Sequence, residues 1–150
     1  MRGVNPWPRP SASALADFFG EPGDDNLVTL GVGGLGVEYD GAPVKTIRCN
    51  QHVAASLGRV LAEIAASPHA DILKEYAGCF NFRKKRGGTS YSMHAYGAAI
   101  DLDPANNGMR DSWPLRSTMP LQVMEMFAKE GWKSGGAWWG YDAMHFECSR

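Results

Sequence analysis

The sequence predicts an α+β domain. Two segments carry apolar residues at three- and four-residue intervals, as helices do, and three short segments are strand-like. The spacing between these segments is unequal and lacks the regular strand–helix alternation of a parallel α/β fold. At 150 residues, 44% hydrophobic and 21% charged, the chain fits a single domain, residues 1–150, with one core.

The clearest helix is predicted from Asn50 to Ser67. Asn50 can cap its start, and Pro68 ends it because proline disfavours helical backbone in the residue before it. His52 and His69 fall at the two ends of this helix and are interpreted as structural residues. Its regularly spaced apolar side chains form one core-facing stripe: Val53, Leu57, Val60, Leu61 and Ile64.

A second helix is predicted from Leu121 to Glu130. Pro120 is preset for its first turn, and Gly131 is placed to end it. The buried face of this helix is expected to comprise Val123, Met124 and Phe127.

The remaining segments are shorter. Residues 1–25 are predicted to form an irregular N-terminal arm with one short helix, Ser13–Phe19, which Ser11 or Ser13 can cap. The glycine-rich segment Leu27–Tyr39 is predicted to be a hairpin or loop, since it lacks the Lys-Ser/Thr pair and the GxGxxG spacing of phosphate-binding loops. Three short runs are strand-like: Cys79–Arg83, Ala98–Leu102 and Ala143–Cys148.

Charge and hydropathy exclude two classes of partner. The formal net charge of −1 excludes the overall basic surface that nucleic-acid binders need. No stretch approaches the roughly 20 apolar residues that span a bilayer, so no stable membrane insertion is expected. Residues 1–8 carry prolines and no apolar run of the signal-peptide type, which predicts synthesis in the cytoplasm without the usual export signal.

The chain has three cysteines, Cys49, Cys79 and Cys148. Their odd number, their wide spacing and the lack of a CxxC pair argue against a disulfide framework and against a thiolate zinc site. Buried free thiols are the simpler interpretation, and one disulfide among the three is the alternative.

The most informative segment runs from Ser92 to Asp101 and places His94 and Asp101 seven positions apart. To bring both side chains to one metal ion, the chain must turn back between them, and Gly97 supplies the backbone freedom for that turn. If the second half is a strand, Asp101 faces a cleft and Ile100 points to the opposite side, toward the core.

A second segment, Asp142–His145, offers another imidazole and a carboxylate three residues before it. Two histidines and one carboxylate, with a fourth position open to water, are the ligand set of a catalytic zinc site. We therefore predict one Zn2+ per chain, held by His94, Asp101 and His145, with Asp142 as the general base. Glu147, two residues beyond His145, can orient that ligand through a hydrogen bond.

The first of these segments resembles a known family. Ser92, His94, Gly97, Ala99 and Asp101 reproduce the S-x-H-x-x-G-x-A-x-D pattern of the zinc D,D-peptidase and L,D-endopeptidase family, which includes VanX- and VanY-like peptidases and phage endolysins. The second segment is similar to that family's second motif, and the resemblance covers roughly residues 45–150. It implies the small α+β fold shared with the hedgehog signalling domain, in which an antiparallel sheet and packed helices form a zinc cleft. It also implies the same metal ligands and base.

The resemblance further implies an arginine, on a strand before the first motif, that stabilises the oxyanion or binds a substrate carboxylate. Arg83 is the best match, and Arg86 is the alternative that the spacing leaves open. Both belong to the basic run 83–86, which is equally consistent with a solvated turn.

Two further predictions concern substrate binding. Ser92 either hydrogen-bonds the substrate, as the family suggests, or fixes the loop that carries the first ligand. Trp138, together with Trp139 and Tyr141, forms either a wall that binds sugar or peptide or part of the core, and core packing is expected for at least one tryptophan.

These features predict a zinc metallopeptidase that hydrolyses peptide bonds in peptidoglycan stem peptides. A phage-type endolysin endopeptidase, cutting the L-alanyl-D-glutamate or a related bond, is preferred because endolysin-like family members often carry Asp at the position of Asp142, whereas D,D-dipeptidases carry Glu. A host D-alanyl-D-alanine carboxypeptidase and a non-catalytic zinc-binding domain are the alternatives. We expect a monomer that acts at the cell wall or in the periplasm after a separate protein permeabilises the membrane.

Overall fold

The computed structural model describes residues 5–85 and 87–150. Its elements follow in the order α1 (Ala12–Phe19), β1 (Leu27–Gly31), β2 (Glu38–Tyr39), β3 (Ala42–Pro43), β4 (Thr46–Asn50), α2 (Ala54–Ala65), β5 (Ala99–Asp101), α3 (Leu121–Ala128), β6 (Lys133–Ser134), α4 (Gly135–Trp139) and β7 (His145–Glu147). Two 3-10 helices, Ala70–Glu75 and Met93–Tyr96, lie between α2 and β5. Within the described residues, no helix has the length and apolar character needed to cross a bilayer. The strand pairs are antiparallel, and this mixture of helix and antiparallel sheet confirms the predicted α+β class.

The N-terminal arm is docked onto the core. Trp7 is 5% exposed and donates a hydrogen bond from Nε1 to the carbonyl oxygen of Glu130. Its ring packs edge-on against Trp132, with centroids 6.3 Å apart. Helix α1 begins one residue earlier than predicted, because Ser11 is the residue that caps it. The division into an arm before residue 25 and a catalytic core from residue 45 stays a prediction.

The glycine-rich segment forms two separate ribbons with the chain that follows. β1 pairs with the distant β4, so that Leu27 lies opposite Asn50 and Gly31 opposite Thr46. β2 pairs with β3 in a short hairpin. The prediction of a hairpin or loop therefore describes β2 but misses the long-range pairing of β1.

Helix α2 is the scaffold helix that the sequence predicts. Each of the five stripe residues is at most 1% exposed. The helix begins at Ala54, later than predicted, because Asn50 ends strand β4 instead of capping α2. The Asn50 side-chain amide donates to the carbonyl oxygens of Phe19 and Tyr96, and this residue therefore ties α1, β4 and the first motif together.

Helix α3 joins the core to the sheet that carries the site. Its predicted buried face, Val123, Met124 and Phe127, is at most 2% exposed. Phe127 stacks on Phe146 of β7, with ring centroids 4.0 Å apart. Pro120 precedes the helix as its N-cap, whereas the prediction placed it in the first turn.

The three-stranded sheet positions the candidate site. Its order is β5–β7–β6, with β7 in the centre. Asp101 pairs with His145 and Lys133 pairs with Glu147, which places these four residues at neighbouring positions in the sheet. Ile100 is fully buried, as the alternation of side chains along a strand predicts.

The predicted strand at Cys79–Arg83 is wrong, because these residues form no strand. Their backbone groups bond to the first motif instead. The Cys79 carbonyl oxygen contacts the His94 ring, and the Asn81 amide donates to the His94 carbonyl oxygen at 3.1 Å. The segment therefore serves as a brace for His94.

The three cysteines are free and buried, which confirms the simpler interpretation of the sequence. Burial raises the pKa of the Cys49 thiol to about 11. At neutral pH this thiol is therefore protonated and poorly nucleophilic.

Candidate metal centre

Three side chains from different elements meet at one end of the β5–β7–β6 sheet. His94 lies in the 3-10 helix Met93–Tyr96, Asp101 ends β5 and His145 begins β7. Each offers one possible ligand atom, and these atoms lie within 4.8 Å of one another. The structure thus brings together the three residues that the sequence predicts as metal ligands.

The turn between His94 and Asp101 depends on Gly97. This residue has a φ of +69°, in the left-handed region that L side chains rarely adopt. A Cβ atom at this position would lie 2.8 Å from the Asn50 amide nitrogen and 2.5 Å from Leu27 Cδ2. Both the conformation and the space therefore require glycine.

His94 is oriented by the backbone of the preceding segment. Its Nδ1 lies 2.7 Å from the Cys79 carbonyl oxygen, and since a carbonyl can only accept, Nδ1 is the donor. The other ring nitrogen, Nε2, is buried and has no hydrogen-bond partner among the described residues. It lies 3.3 Å from Oδ2 of Asp101 but outside hydrogen-bond geometry. Such a buried lone pair is costly unless it meets a proton donor or a metal ion.

His145 is held between two carboxylates. Its Nδ1 lies 3.1 Å from Oδ1 of Asp101, and its Nε2 lies 2.8 Å from Oε1 of Glu147. The hydroxyl of Ser149 donates to Oε2 of Glu147 at 2.6 Å and fixes that carboxylate. Glu147 is therefore placed where the sequence predicts it, as a residue that orients His145, and Nδ1 is the nitrogen that faces Asp101.

The charges of this cluster are coupled. Burial alone would raise the pKa of Asp101, but the hydrogen bond from His145 and the nearby His94 ring outweigh burial and hold this pKa well below its usual range. Burial alone would lower the pKa of His145, yet its hydrogen bonds to Asp101 and Glu147 raise it to about 10. The two carboxylates therefore favour a positive charge at the position of His145.

The donor set fits zinc. Two imidazole nitrogens and one carboxylate oxygen are the ligands of catalytic zinc sites, which keep a further position open. His94, Asp101 and His145 provide this set and line a cleft of about 450 Å³. Zinc binding itself stays a prediction.

Asp142 lines the same cleft from the loop before β7. Its φ is +56°, and its carbonyl oxygen accepts a hydrogen bond from the His145 amide at 3.1 Å. Gly135 makes room for this loop, because a Cβ atom there would lie 2.1 Å from the Asp142 carbonyl oxygen. Burial raises the pKa of Asp142, as suits a carboxylate that takes up and returns a proton.

Arg83 and Ser92 also line the cleft. The exposed Arg83 side chain makes only a long contact, 3.5 Å from Nη1 to its neighbour's carbonyl oxygen, among the described residues, so the guanidinium can turn toward a substrate. The alternative, Arg86, lies outside the described residues. The Ser92 hydroxyl accepts a hydrogen bond from the His94 amide at 3.2 Å, which favours the interpretation that it fixes the turn.

The aromatic cluster is exposed, and the expectation that one of its tryptophans packs in the core is wrong. Trp138 is 64% exposed and Trp139 is 39% exposed. Trp139 and Tyr141 line the cleft, and the Trp139 ring stacks on His145 with centroids 5.9 Å apart. Trp138 does not line the described part of the cleft, and its ring contacts Lys133 instead. A substrate-binding role for Trp138 stays a prediction, while Trp139 is better placed for one.

Lys133 is a cleft residue that the sequence does not reveal. It is 9% exposed and lines the cleft beside the metal ligands. The signal that could have found it is its pairing with Glu147, but β6 has only two residues and shows no periodicity in the sequence.

The two other histidines lie elsewhere. His52 packs near the Phe18 ring, with centroids 5.3 Å apart. His69 precedes the 3-10 helix Ala70–Glu75. Neither joins a possible metal cluster among the described residues, in agreement with their structural interpretation.

Two imidazoles and a carboxylate that converge beside a further carboxylate, on a small α+β fold, are the residue set of a metal-dependent hydrolase. Residues 86–148 match the family model described as D-alanyl-D-alanine carboxypeptidase. This match spans both motifs and confirms the resemblance to the M15-like zinc peptidases over that segment. No curated protein and no solved structure matches the chain. The match supports a peptidase of a kind that acts on peptidoglycan, and Arg83 lies just before the matched segment.

Proposed function

We propose that this protein is a zinc-dependent peptidase that hydrolyses peptide bonds in the stem peptides of bacterial peptidoglycan. The observation that carries the proposal is His94 Nε2, a buried nitrogen without a hydrogen-bond partner among the described residues, 3.3 Å from Asp101 and in the cleft that holds Asp142. A structural zinc site would be closed by four protein ligands. Here three side chains converge and leave one side open to the cleft.

Each of several cleft residues has a separate role in the proposed hydrolysis. When bound, zinc would supply a Lewis acid that polarises the scissile carbonyl and lowers the pKa of water. Asp142 takes a proton from the attacking water and returns it to the leaving amine. The Arg83 guanidinium offsets the negative charge that develops on the carbonyl oxygen. Ser92 holds the turn that presents His94.

The preferred activity is that of a phage-type endolysin endopeptidase acting on the L-alanyl-D-glutamate or a related bond. Support comes from the aspartate at position 142 and from the exposed Trp139 and Tyr141, which extend the cleft wall beside His145. A D-alanyl-D-alanine carboxypeptidase is the second candidate, because the matching family model carries that description.

We also propose that the protein acts as a monomer at the cell wall or in the periplasm. An enzyme of the phage type would be made in the cytoplasm and would reach its substrate after a separate protein permeabilises the membrane. Fractionation of producing cells before and after permeabilisation, and sedimentation of the purified protein, test these two points.

The activity is tested by digesting purified peptidoglycan with the zinc-loaded protein, with and without a chelator, and by mass analysis of the fragments. An endopeptidase opens the stem peptide, whereas a carboxypeptidase releases only terminal D-alanine. His94→Ala is expected to abolish cleavage, and His52→Ala, the same change outside the cleft, is the matched control. Cleavage that survives both the chelator and His94→Ala would contradict the proposal.

A further inference from the structure

Lys133 occupies a position in the cleft that the chemistry above does not use. It lies on β6 opposite Glu147 of β7 and is 9% exposed. Residues that face each other across neighbouring strands share one face of the sheet, and so do residues two apart in a strand. Lys133 therefore lies on the same face as Glu147 and His145, and it lines the cleft with Asp142.

The ammonium group of Lys133 has no anionic partner within the described part of the chain. None of the ion pairs there includes it, and Glu147 bonds to His145 and Ser149 instead. Its Nζ lies 5.0 Å from the centroid of the Trp138 ring, which contributes a cation–π contact. A lysine with a buried stem and an unpaired head at a cleft is suited to receive an anion from outside.

We infer that Lys133 binds a substrate carboxylate, the one attached to the Cα atom that also bears the scissile nitrogen. This inference rests on the proposed peptidase function and names the group that the cleft recognises. The terminal residue of a D-alanyl-D-alanine substrate carries its free α-carboxylate on that atom. A D-glutamate residue that continues through its side-chain carboxyl carries one there as well. Both candidate bonds therefore present the same anion at the same place.

The position of Lys133 suits this role. Neighbouring strands lie about 4.8 Å apart, and Lys133, opposite Glu147, lies one strand across and two residues along from the ligand His145. A carboxylate one carbon from the scissile nitrogen also lies near the reacting carbonyl, and hence near the metal ligands. With the carboxylate held by Lys133, Arg83 is free to act on the carbonyl oxygen, so Lys133 and Arg83 have separate tasks.

The inference is tested with peptide pairs that differ only in this group, carboxylate against carboxamide. One pair contains the L-alanyl-D-glutamate bond and the other an N-acylated D-alanyl-D-alanine, so the two arms distinguish the source of the carboxylate. Lys133→Met is expected to raise KM for the cleaved carboxylate peptide by about 10- to 100-fold, with a smaller change in kcat, because a charge-assisted hydrogen bond is lost. Amidation should cost the wild-type protein a similar factor and should cost Lys133→Met little more.

Three further variants separate binding from structure. Lys133→Arg keeps the charge and should recover part of the loss, whereas Lys133→Gln should behave like Lys133→Met. Lys129→Met is the matched control, because Lys129 pairs with Glu63 on the exposed surface and does not line the cleft among the described residues. Zinc content and melting temperature, measured for each variant, show whether the fold and the metal centre are intact.

The outcomes distinguish this inference from the proposed function. Two results together support both the peptidase function and the role of Lys133. The wild-type protein cleaves the carboxylate peptide, and amidation of the peptide costs the Lys133→Met variant little beyond the loss caused by the substitution. Cleavage with a wild-type KM in Lys133→Met, or with losses that multiply, overturns the inference and leaves the peptidase function intact. If neither peptide is cleaved, the proposed function fails, and calorimetry on the zinc-loaded protein decides the inference. A preference for the carboxylate peptide that disappears in Lys133→Met then supports it, and equal affinities overturn it.

Discussion

Glu147 and His145, two residues apart on β7, are joined by a hydrogen bond of 2.8 Å from Nε2 to Oε1. This bond occupies one ring nitrogen and leaves Nδ1 facing Asp101. Because Glu147 is buried and held by Ser149, the His145 ring has a defined orientation before any metal binds. The Glu147 carboxylate therefore helps to set the orientation in which His145 meets a metal ion.

Replacing Glu147 by Gln is expected to weaken zinc binding by about 10- to 100-fold, the usual effect of removing a group that orients a metal ligand. Glutamine keeps the size of the side chain but removes the charge that makes the imidazole a better ligand. Competition with a chromophoric chelator measures the affinity. Glu125→Gln, on the exposed face of α3, is the control, and equal zinc affinity of the two variants would contradict this role.

Zinc binding is expected to release about one proton at pH 7, because His145 has a pKa of about 10 in the metal-free protein and must lose its proton to become a ligand. The raised pKa means that the charged ring stabilises the metal-free fold below 6.5, the ordinary value, and that this contribution is lost as the pH rises through about 10. The proton competes with zinc, so affinity should fall with falling pH. Calorimetry in buffers of different ionisation enthalpy counts the protons, and a binding enthalpy independent of the buffer would contradict the prediction.

The part of the site that could be predicted from the sequence is the part that depends on local structure. His94 and Asp101 are linked by one turn, and the need for Gly97 in that turn follows from backbone geometry alone. The buried stripes of α2 and α3 follow from helical periodicity in the same way. These features need no knowledge of which segments pair.

The features that escaped prediction depend on long-range pairing. Asn50 looks like a helix cap in the sequence, but its side chain bonds to Phe19 and Tyr96, which are far away along the chain. Residues 79–83 are composed like a strand, yet they brace His94 through backbone hydrogen bonds. Strand β6 has two residues, too few for any periodic signal, so the position of Lys133 appears only when β6 is paired with β7.

The docking of the arm predicts that Trp7→Ala destabilises the protein by about 3–5 kcal/mol, the range for truncating a buried aromatic side chain. The substitution removes the contact with Trp132 and leaves the Glu130 carbonyl oxygen without its indole donor. Denaturant unfolding measures the change in the free energy of unfolding. Arg9→Ala, an exposed position of the same arm, should leave stability nearly unchanged, and equal stability of the two variants would show that the arm does not contribute to the fold.

Asp142→Asn is expected to lower turnover by about 10²- to 10⁴-fold, the contribution of a positioned general base, while zinc content stays at the wild-type level because Asp142 is not among the three converging ligands. Asparagine preserves the shape of the side chain but cannot take up the proton of water. Burial raises the pKa of Asp142, so wild-type activity should fall as the pH drops through a value above 3.8, the ordinary pKa, since only the ionised carboxylate acts as a base. The residual activity of the Asp142→Asn variant should not show this loss at low pH. Asp17→Asn, on the exposed side of α1, is the matched control, and full activity of the zinc-loaded Asp142→Asn protein would rule out Asp142 as the base.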